Sequence, residues 1–257
     1  MRSFREQPTD SDDLGSELMA SRPVFRPGGP SKWVLDAAIE FEWFPGFAVS
    51  QKQRSIESLH SVARHELGID KILEVSSKSP TELGAQLSAF KLRVPHPTDK
   101  QREISVEAAF QGSKVFSKSG QLESLYDLEL GREIKARVRD HDEERLVHFQ
   151  FGSERWHLTL TPPTLFYDWL YLQGIETYFT DDSGAKDLFQ RYEAFTDIEF
   201  NPKRSINCQA RSCALYLALA RSNQLDAVHN VREYRELLAD RPSGDAHPGR
   251  RLDEWDE

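Results

Sequence analysis

Cysteine is almost missing from this 257-residue sequence: Cys208 and Cys213 are the only two. A chain so poor in thiols is no disulfide-stapled secreted scaffold, and a reducing cytoplasm is the expected setting. Long apolar runs are missing as well. None approaches the ~20 residues that span a bilayer, and mean hydropathy is −0.61. The opening residues, M-R-S-F-R-E-Q-P-T-D-S-D-D, hold no apolar signal core, so secretion is not expected. A cationic excess is lacking too. The formal net charge of −9 argues against a protein that coats nucleic acid through its overall field, but not against a local pocket for one modified nucleotide.

Familiar catalytic signatures are absent in turn. The G-S-K at Gly112–Lys114 lacks the upstream glycine of a phosphate-binding loop, and no G-x-G-x-x-G follows a strand. The eight histidines form no H-x-x-x-H or H-x-H pair. The two cysteines would stand about 140° apart on a helix, which makes them poor co-ligands and good core residues. No G-x-S-x-G elbow occurs. Neither metal nor organic cofactor is expected. Chemistry is left to carboxylates, lysines and aromatic stacking.

What is present supports a sizeable core, with 38% hydrophobic and 11% aromatic residues. Residues 1–30 are polar and end in R-P-G-G-P, which reads as a disordered or loosely attached segment; residues 240–257 read as a disordered charged tail. Between them, residues 31–239 are expected to form one domain. Ala38–Trp43 alternates as a strand. Ser50 and Gln53 resemble a capping box for a helix carrying Ile56, Leu59 and Ala63 and closed by Gly68. Lys71–Ser76 is a second strand. Ser79, Pro80 and Glu82 look like the start of a helix, leaving Lys78 in the turn between.

Ser105–Phe116, S-V-E-A-A-F-Q-G-S-K-V-F, then places Glu107, Gln111 and Lys114 at i, i+4 and i+7, one face of a single helix beside an apolar stripe of Val106, Ala109 and Phe110. Leu146–Phe151 and Trp156–Leu160 read as a hairpin whose Val147, Phe149 and Phe151 share a buried face with Trp156, Leu158 and Leu160. The segment L-F-Y-D-W-L-Y-L-Q-G-I is apolar nearly all round, so Asp168 within it needs a partner or a cavity. Helices are expected over Ile206–Leu217 and Leu225–Leu238. The fold class is α+β: helix-rich, with a small mixed or antiparallel sheet.

Two blocks, L-S-A-F (Leu87–Phe90) and S-V-E-A-A-F-Q-G-S-K (Ser105–Lys114), resemble the paired signatures of the NADAR superfamily. F-E-W-F-P-G-F-A-V-S-Q-K, S-S-K-S, T-P-P-T-L-F-Y-D-W-L-Y and F-T-D-I-E-F-N-P-K-R-S-I-N-C-Q-A-R-S extend the likeness to the NADAR antitoxins found beside DarT-type toxins, over roughly residues 35–222. The resemblance implies a hydrolase: DarT-type toxins place ADP-ribose on a DNA base, and the partner removes it from guanine by N-glycosidic cleavage. It implies ADP-ribosylated DNA as substrate, ADP-ribose as product and a DarT-type toxin as functional partner. The other classes are a non-enzymatic ADP-ribose reader or toxin-sequestering antitoxin, and a small-molecule N-glycosidase.

Breaking an N-glycosidic bond builds positive charge on the sugar, which a carboxylate can stabilise. Glu107 is the candidate, for that role or for activating water. Lys78 and Lys114 are candidates to protonate the leaving guanine or to attack the anomeric carbon, Lys78 being favoured because it lies on a loop. Asp197, with Glu199 as rival, matches the acidic turn and would bind ribose hydroxyls. Trp156 and Trp169 are candidate stacking platforms, with core packing as the ordinary alternative. Arg211 and Lys203 are candidates for the pyrophosphate, and Asn207 and Ser88 for further hydrogen bonds. Phe90 and Gln111 complete the substrate-binding set. Ala89 departs from the family, where asparagine is common.

Overall fold

The computed structural model describes residues 18–141 and 143–239. The first 17 residues and the expected tail at 240–257 lie outside the described residues. The remainder of the supposedly loose N-terminal segment is a correction. Met19–Gly29 is strand β1, paired antiparallel with β2 (Lys32–Glu42) from Met19↔Glu42 to Gly29↔Lys32. Its prolines suggest disorder, yet the strand accommodates them. Pro23 and Pro27 stand four apart, so their missing N–H groups point to one side of the strand. On that side the next strand, β10 (Ala194–Thr196), meets β1 only at Phe25↔Phe195.

This first sheet runs β2-β1-β10-β3, with β3 (Ile72–Glu74) parallel to β10 in the register Leu73↔Phe195 and Glu74↔Thr196. One face is covered by α1 (Val49–Leu67) through Ile56, Leu59 and Ala63 against Val24, Ile39 and Phe41. The other face carries Phe25, Val34, Leu73 and Phe195 into the main core with α5 (Leu165–Asp181) and α7 (Gln209–Arg221). Burial on both faces explains why β3 and β10 are continuous apolar runs broken by single polar residues. Gly68 closes α1 with φ 62°, as expected from its place after the last turn. At the start of α1 the cap position is Ala48, with no side-chain cap, so the Ser50 capping box does not form.

The second helix, α2 (Glu82–Gln86), starts two residues later than Ser79 implies: Thr81 is its cap, accepting from the Gly84 N–H at 3.2 Å. Gly84 has no room for a side chain, since a Cβ there would lie 2.0 Å from the Glu74 carbonyl oxygen. Helix α2 therefore presses directly on the end of β3. The ribbon β4 (Arg93–Pro95) and β5 (Glu103–Ser105) leads into α3 (Val106–Gly112), capped by the Ser105 hydroxyl. A second four-stranded sheet follows, antiparallel, in the order β7-β6-β8-β9. It is built from β6 (Lys114–Phe116), β7 (Gly120–Gln121), β8 (Leu146–Phe151) and β9 (Glu154–His157). The described residues thus hold two small sheets and a ribbon within one α+β domain.

The expected hairpin forms, with Phe149 opposite Trp156. One residue departs: Val147 is exposed rather than buried. Val115 pairs with His148 but Phe116 pairs with Leu146, so Val147 is the extra residue of a bulge and turns outward. Helix α4 (Gly131–Arg139) covers Ala108, Phe116 and Leu125 through Ile134. Helix α6 (Ser183–Phe189) follows α5, and the expected last helix is split into a 3-10 turn at Leu225–His229 and α8 (Val231–Ala239).

Candidate active site

Glu107 stands in the first turn of α3 and is half-buried. Its backbone N–H donates to the Ala89 carbonyl at 3.0 Å, which pins the helix start to the L-S-A-F turn. The Ala89 N–H in turn donates to Gln209 Oε1 at 2.7 Å, and Gln209 Nε2 donates to Asp197 Oδ2 at 3.1 Å. Four segments far apart in sequence are joined by this relay. Glu107 and Gln111 meet as the spacing predicts, Gln111 Nε2 donating to Glu107 Oε1 at 3.2 Å. The other amide oxygen, Gln111 Oε1, is buried with no hydrogen-bond partner among the described residues, and Asn207 Oδ1 is in the same condition. Orphaned acceptors of this kind are costly, and a bound ligand would satisfy them.

The helical placement of Lys114 is a correction. Helix α3 ends at Gly112, so Lys114 opens β6, is buried, and holds its ammonium 5.8 Å from the Phe110 ring centroid. Lys78 is where the sequence puts it, in the turn after β3, with its N–H on Ser76 Oγ at 3.2 Å. No side-chain hydrogen bond or ion pair engages its ammonium among the described residues. The Lys78 turn and the Asp197 turn both leave the carboxyl ends of β3 and β10, two neighbouring parallel strands, which sets the turns side by side.

Asp197 is buried and largely committed. Its Oδ1 accepts from the Glu199 and Phe200 N–H groups at 3.0 and 3.2 Å, and its Oδ2 from Gln209. It organises the turn more than it offers itself to ribose. Beside it lies a second buried acid that sequence reasoning missed, Glu74. Glu74 accepts from Ser76 Oγ (2.7 Å), Thr196 Oγ1 (2.7 Å) and the Ile198 N–H (2.9 Å). Burial raises the pKa of both carboxyls, and the Asp197 charge raises Glu74 further. His60 Nε2 reaches Thr196 Oγ1 at 2.7 Å, and burial with the nearby Arg64 charge pushes its pKa down to about 3. A glutamate inside the apolar strand K-I-L-E-V-S was the available signal.

Tyr167 on α5 was also missed. It is buried, and burial together with the charges of Glu107, Asp197 and Asp168 holds its pKa well above the ordinary phenol range, so it remains an O–H donor at neutral pH. Its hydroxyl makes no hydrogen bond to another described residue. Asp168 has the partners its burial demands: Thr164 Oγ1 at 2.7 Å, Ser212 Oγ at 2.6 Å, and the Arg211 guanidinium. Arg211 is thereby held at the edge of the site by an ion pair.

Several candidates fall elsewhere. Trp156 is wholly buried among Phe166, Trp169 and Tyr234, with the Arg235 guanidinium 4.1 Å from its ring centroid. Trp169 is buried as well and donates through Nε1 to the Val228 carbonyl at 3.1 Å. Neither offers a free face for a base, which is the core alternative realised. Phe90 packs against Gly131, where a Cβ would lie 2.3 Å from its ring. Ser88 is buried and its hydroxyl accepts from the Phe90 N–H at 3.4 Å, a turn-forming role. Lys203 is exposed, and Glu199 pairs with Lys52 at 3.0 Å. Among the described residues no group of three or more His, Cys, Asp or Glu could hold a metal, and no helix is long and apolar enough to cross a membrane.

An α+β domain that ties an L-S-A-F turn, an E-x-x-x-Q helix and an acidic turn to one helix N-terminus is a NADAR domain. More narrowly, the chain belongs to the DarT1-associated NADAR antitoxin family, whose model matches residues 20–248. Its class is therefore that of an antitoxin. No curated protein matches the chain in a direct sequence comparison.

Proposed function

We propose that this protein hydrolyses the N-glycosidic bond between ADP-ribose and guanine in DNA, and so reverses the modification made by a DarT-type toxin. Family membership supports the antitoxin role and an N-glycosidase type of chemistry. The observation that supports the substrate reading further is the relay Glu107–Ala89–Gln209–Asp197, which ties the backbone of the half-buried Glu107, whose carboxylate accepts from Gln111, to the acidic turn.

In the reaction the bond from the ribose anomeric carbon to the guanine nitrogen breaks, and its electron pair leaves with the base. Glu107 stabilises the positive charge left on the sugar or takes a proton from the attacking water. Water supplies the hydroxyl on the anomeric carbon, and its proton completes neutral guanine. Lys78, whose ammonium has no hydrogen-bond or ion-pair partner among the described residues, donates a proton to the departing base, or, as the free amine, bonds the anomeric carbon as guanine leaves and is then displaced by water. Tyr167 and Gln111 lie beside Glu107 as donor and acceptor for the sugar. Arg211 lies at the edge for a phosphate.

Incubation of the protein with an oligonucleotide carrying ADP-ribosylated guanine, followed by mass spectrometry, tests this. Release of ADP-ribose with guanine regenerated is the expected result. Tight binding without release makes the site a reader, and failure of both overturns the assignment.

A further inference from the structure

The loop between β2 and α1 and the first turns of α1 gather aromatic and basic side chains at one end of the first sheet. Phe47 is 100% exposed at the loop tip, and Val49, Leu18 and Met19 are also exposed. The Trp43 N–H donates to the Leu18 carbonyl at 2.6 Å, which brings the two chain segments side by side. Cations stack on the neighbouring rings: the Arg54 guanidinium lies 3.9 Å from the Phe44 centroid, with Lys52 at 4.8 Å and Arg22 at 5.3 Å from Trp43. Trp43 to Arg54 contains no acidic residue; Glu42 precedes it, and Glu199 reaches it only through the ion pair with Lys52.

That ion pair fixes where the patch lies. The Glu199 N–H donates to Asp197 Oδ1, and Asp197 is the far end of the relay that leads to Glu107. Lys52 and Arg22 therefore border the acidic turn of the candidate active site, with Arg54 one helical half-turn from Lys52. Phe47, fully exposed, offers an open ring on which a base can stack. Three cations set beside it complement phosphates. Aromatic faces for bases with adjoining cations for the backbone are the recognition chemistry of unpaired nucleic acid. In a chain of net charge −9 a polyanion is held by a local cationic patch rather than by the overall field.

We propose that the Trp43–Arg54 segment, with Arg22, binds the single-stranded DNA that flanks the modified guanine. Phe47 stacks on a base, while Arg54 and Lys52 meet phosphates. The proposal rests on the DNA-directed reading above, and its test is separable from it.

Fluorescence anisotropy with a short, unmodified single-stranded DNA oligonucleotide reads the surface without any catalysis. The wild-type protein is expected to bind at low salt, Phe47→Ala to weaken binding about tenfold, and Arg54→Glu to weaken it and flatten the salt dependence. Both variants should cleave ADP-ribosylated guanosine mononucleoside at the wild-type rate. No binding by the wild type, or unchanged affinity in both variants, overturns the proposal. So does tighter binding to RNA of the same sequence, or loss of toxin binding with DNA binding intact. Failure of the glycosidase reading shows up differently, as absent cleavage of both substrates while DNA binding and its loss in the variants persist.

Discussion

Two of the acids that stand in the first turn of a helix, Asp168 and Glu107, have opposite fates. Asp168, at the start of α5, is buried and takes hydrogen bonds from Thr164 and Ser212 and an ion pair from Arg211. Glu107, at the start of α3, is half-buried and is engaged by Gln111 alone among the side chains described. A carboxylate with all its lone pairs answered has no capacity left for a substrate; one held by a single amide keeps most of its own. Both gain from the helix dipole. Saturation by neighbours, not position in a helix, separates the structural acid from the candidate for chemistry.

The sharpest way to break the comparison is to neutralise each acid. Glu107→Gln is expected to lower turnover about a thousandfold with little change in melting temperature, since the variant keeps its shape and its bond to Gln111. A single-turnover assay beside a thermal melt would show it; full activity would remove Glu107 from the chemistry. Asp168→Ala should do the reverse. It removes the buried carboxylate that answers Thr164, Ser212 and Arg211, and costs on the order of 3 kcal/mol in denaturant unfolding. Activity per folded molecule should fall far less than in the Glu107 variant. An Asp168→Ala protein as stable as wild type would refute the contrast.

A smaller effect is expected at the third kind of acid, the buried Glu74 beside Asp197. Both have pKa values raised by burial, so the native state holds protons that the unfolded chain releases. Stability is then lost as pH rises from the ordinary carboxylate range through the raised values. His60 works the other way, losing stability as pH falls from 6.5 toward about 3, so the acids are read most cleanly above pH 6.5. Glu74→Gln keeps the acceptor for Ile198 and offers N–H groups to Thr196. It should reduce the alkaline loss of stability by about 1 kcal/mol, measured as melting temperature against pH. An unaltered pH profile would show that the pair does not share protons.

Much of the frame was legible. The position of Glu107 and Gln111, the hairpin pairing Phe149 with Trp156, the Gly68 stop and the need of Asp168 for partners all follow from periodicity, turn chemistry and the cost of a buried charge. The misreadings share one cause: local pattern does not reveal what a segment packs against. Lys114 continues the helical spacing of Glu107 and Gln111, but Gly112 ends the helix against Tyr126, 2.4 Å from where a Cβ would sit, and the lysine passes into a strand. R-P-G-G-P looks like a loose end until β2 and β10 flank β1. Trp156 and Trp169 are aromatic enough to stack on a base, and only the rings around them show that they already stack on each other.

From its residues alone the protein was legible as an α+β domain, because spacing along the chain sets helix faces and strand alternation, and its motifs resembled the NADAR family to which it belongs. Tertiary structure decided which of its polar groups are spent and which are open. Gln209, Glu74, Tyr167 and Arg22 come to the site from four separate elements, and hydrogen bonds across more than a hundred residues, such as Ala89 to Gln209, cannot be inferred from local pattern. Burial and pairing are properties of the packed whole, and they fix the chemistry that each side chain has left.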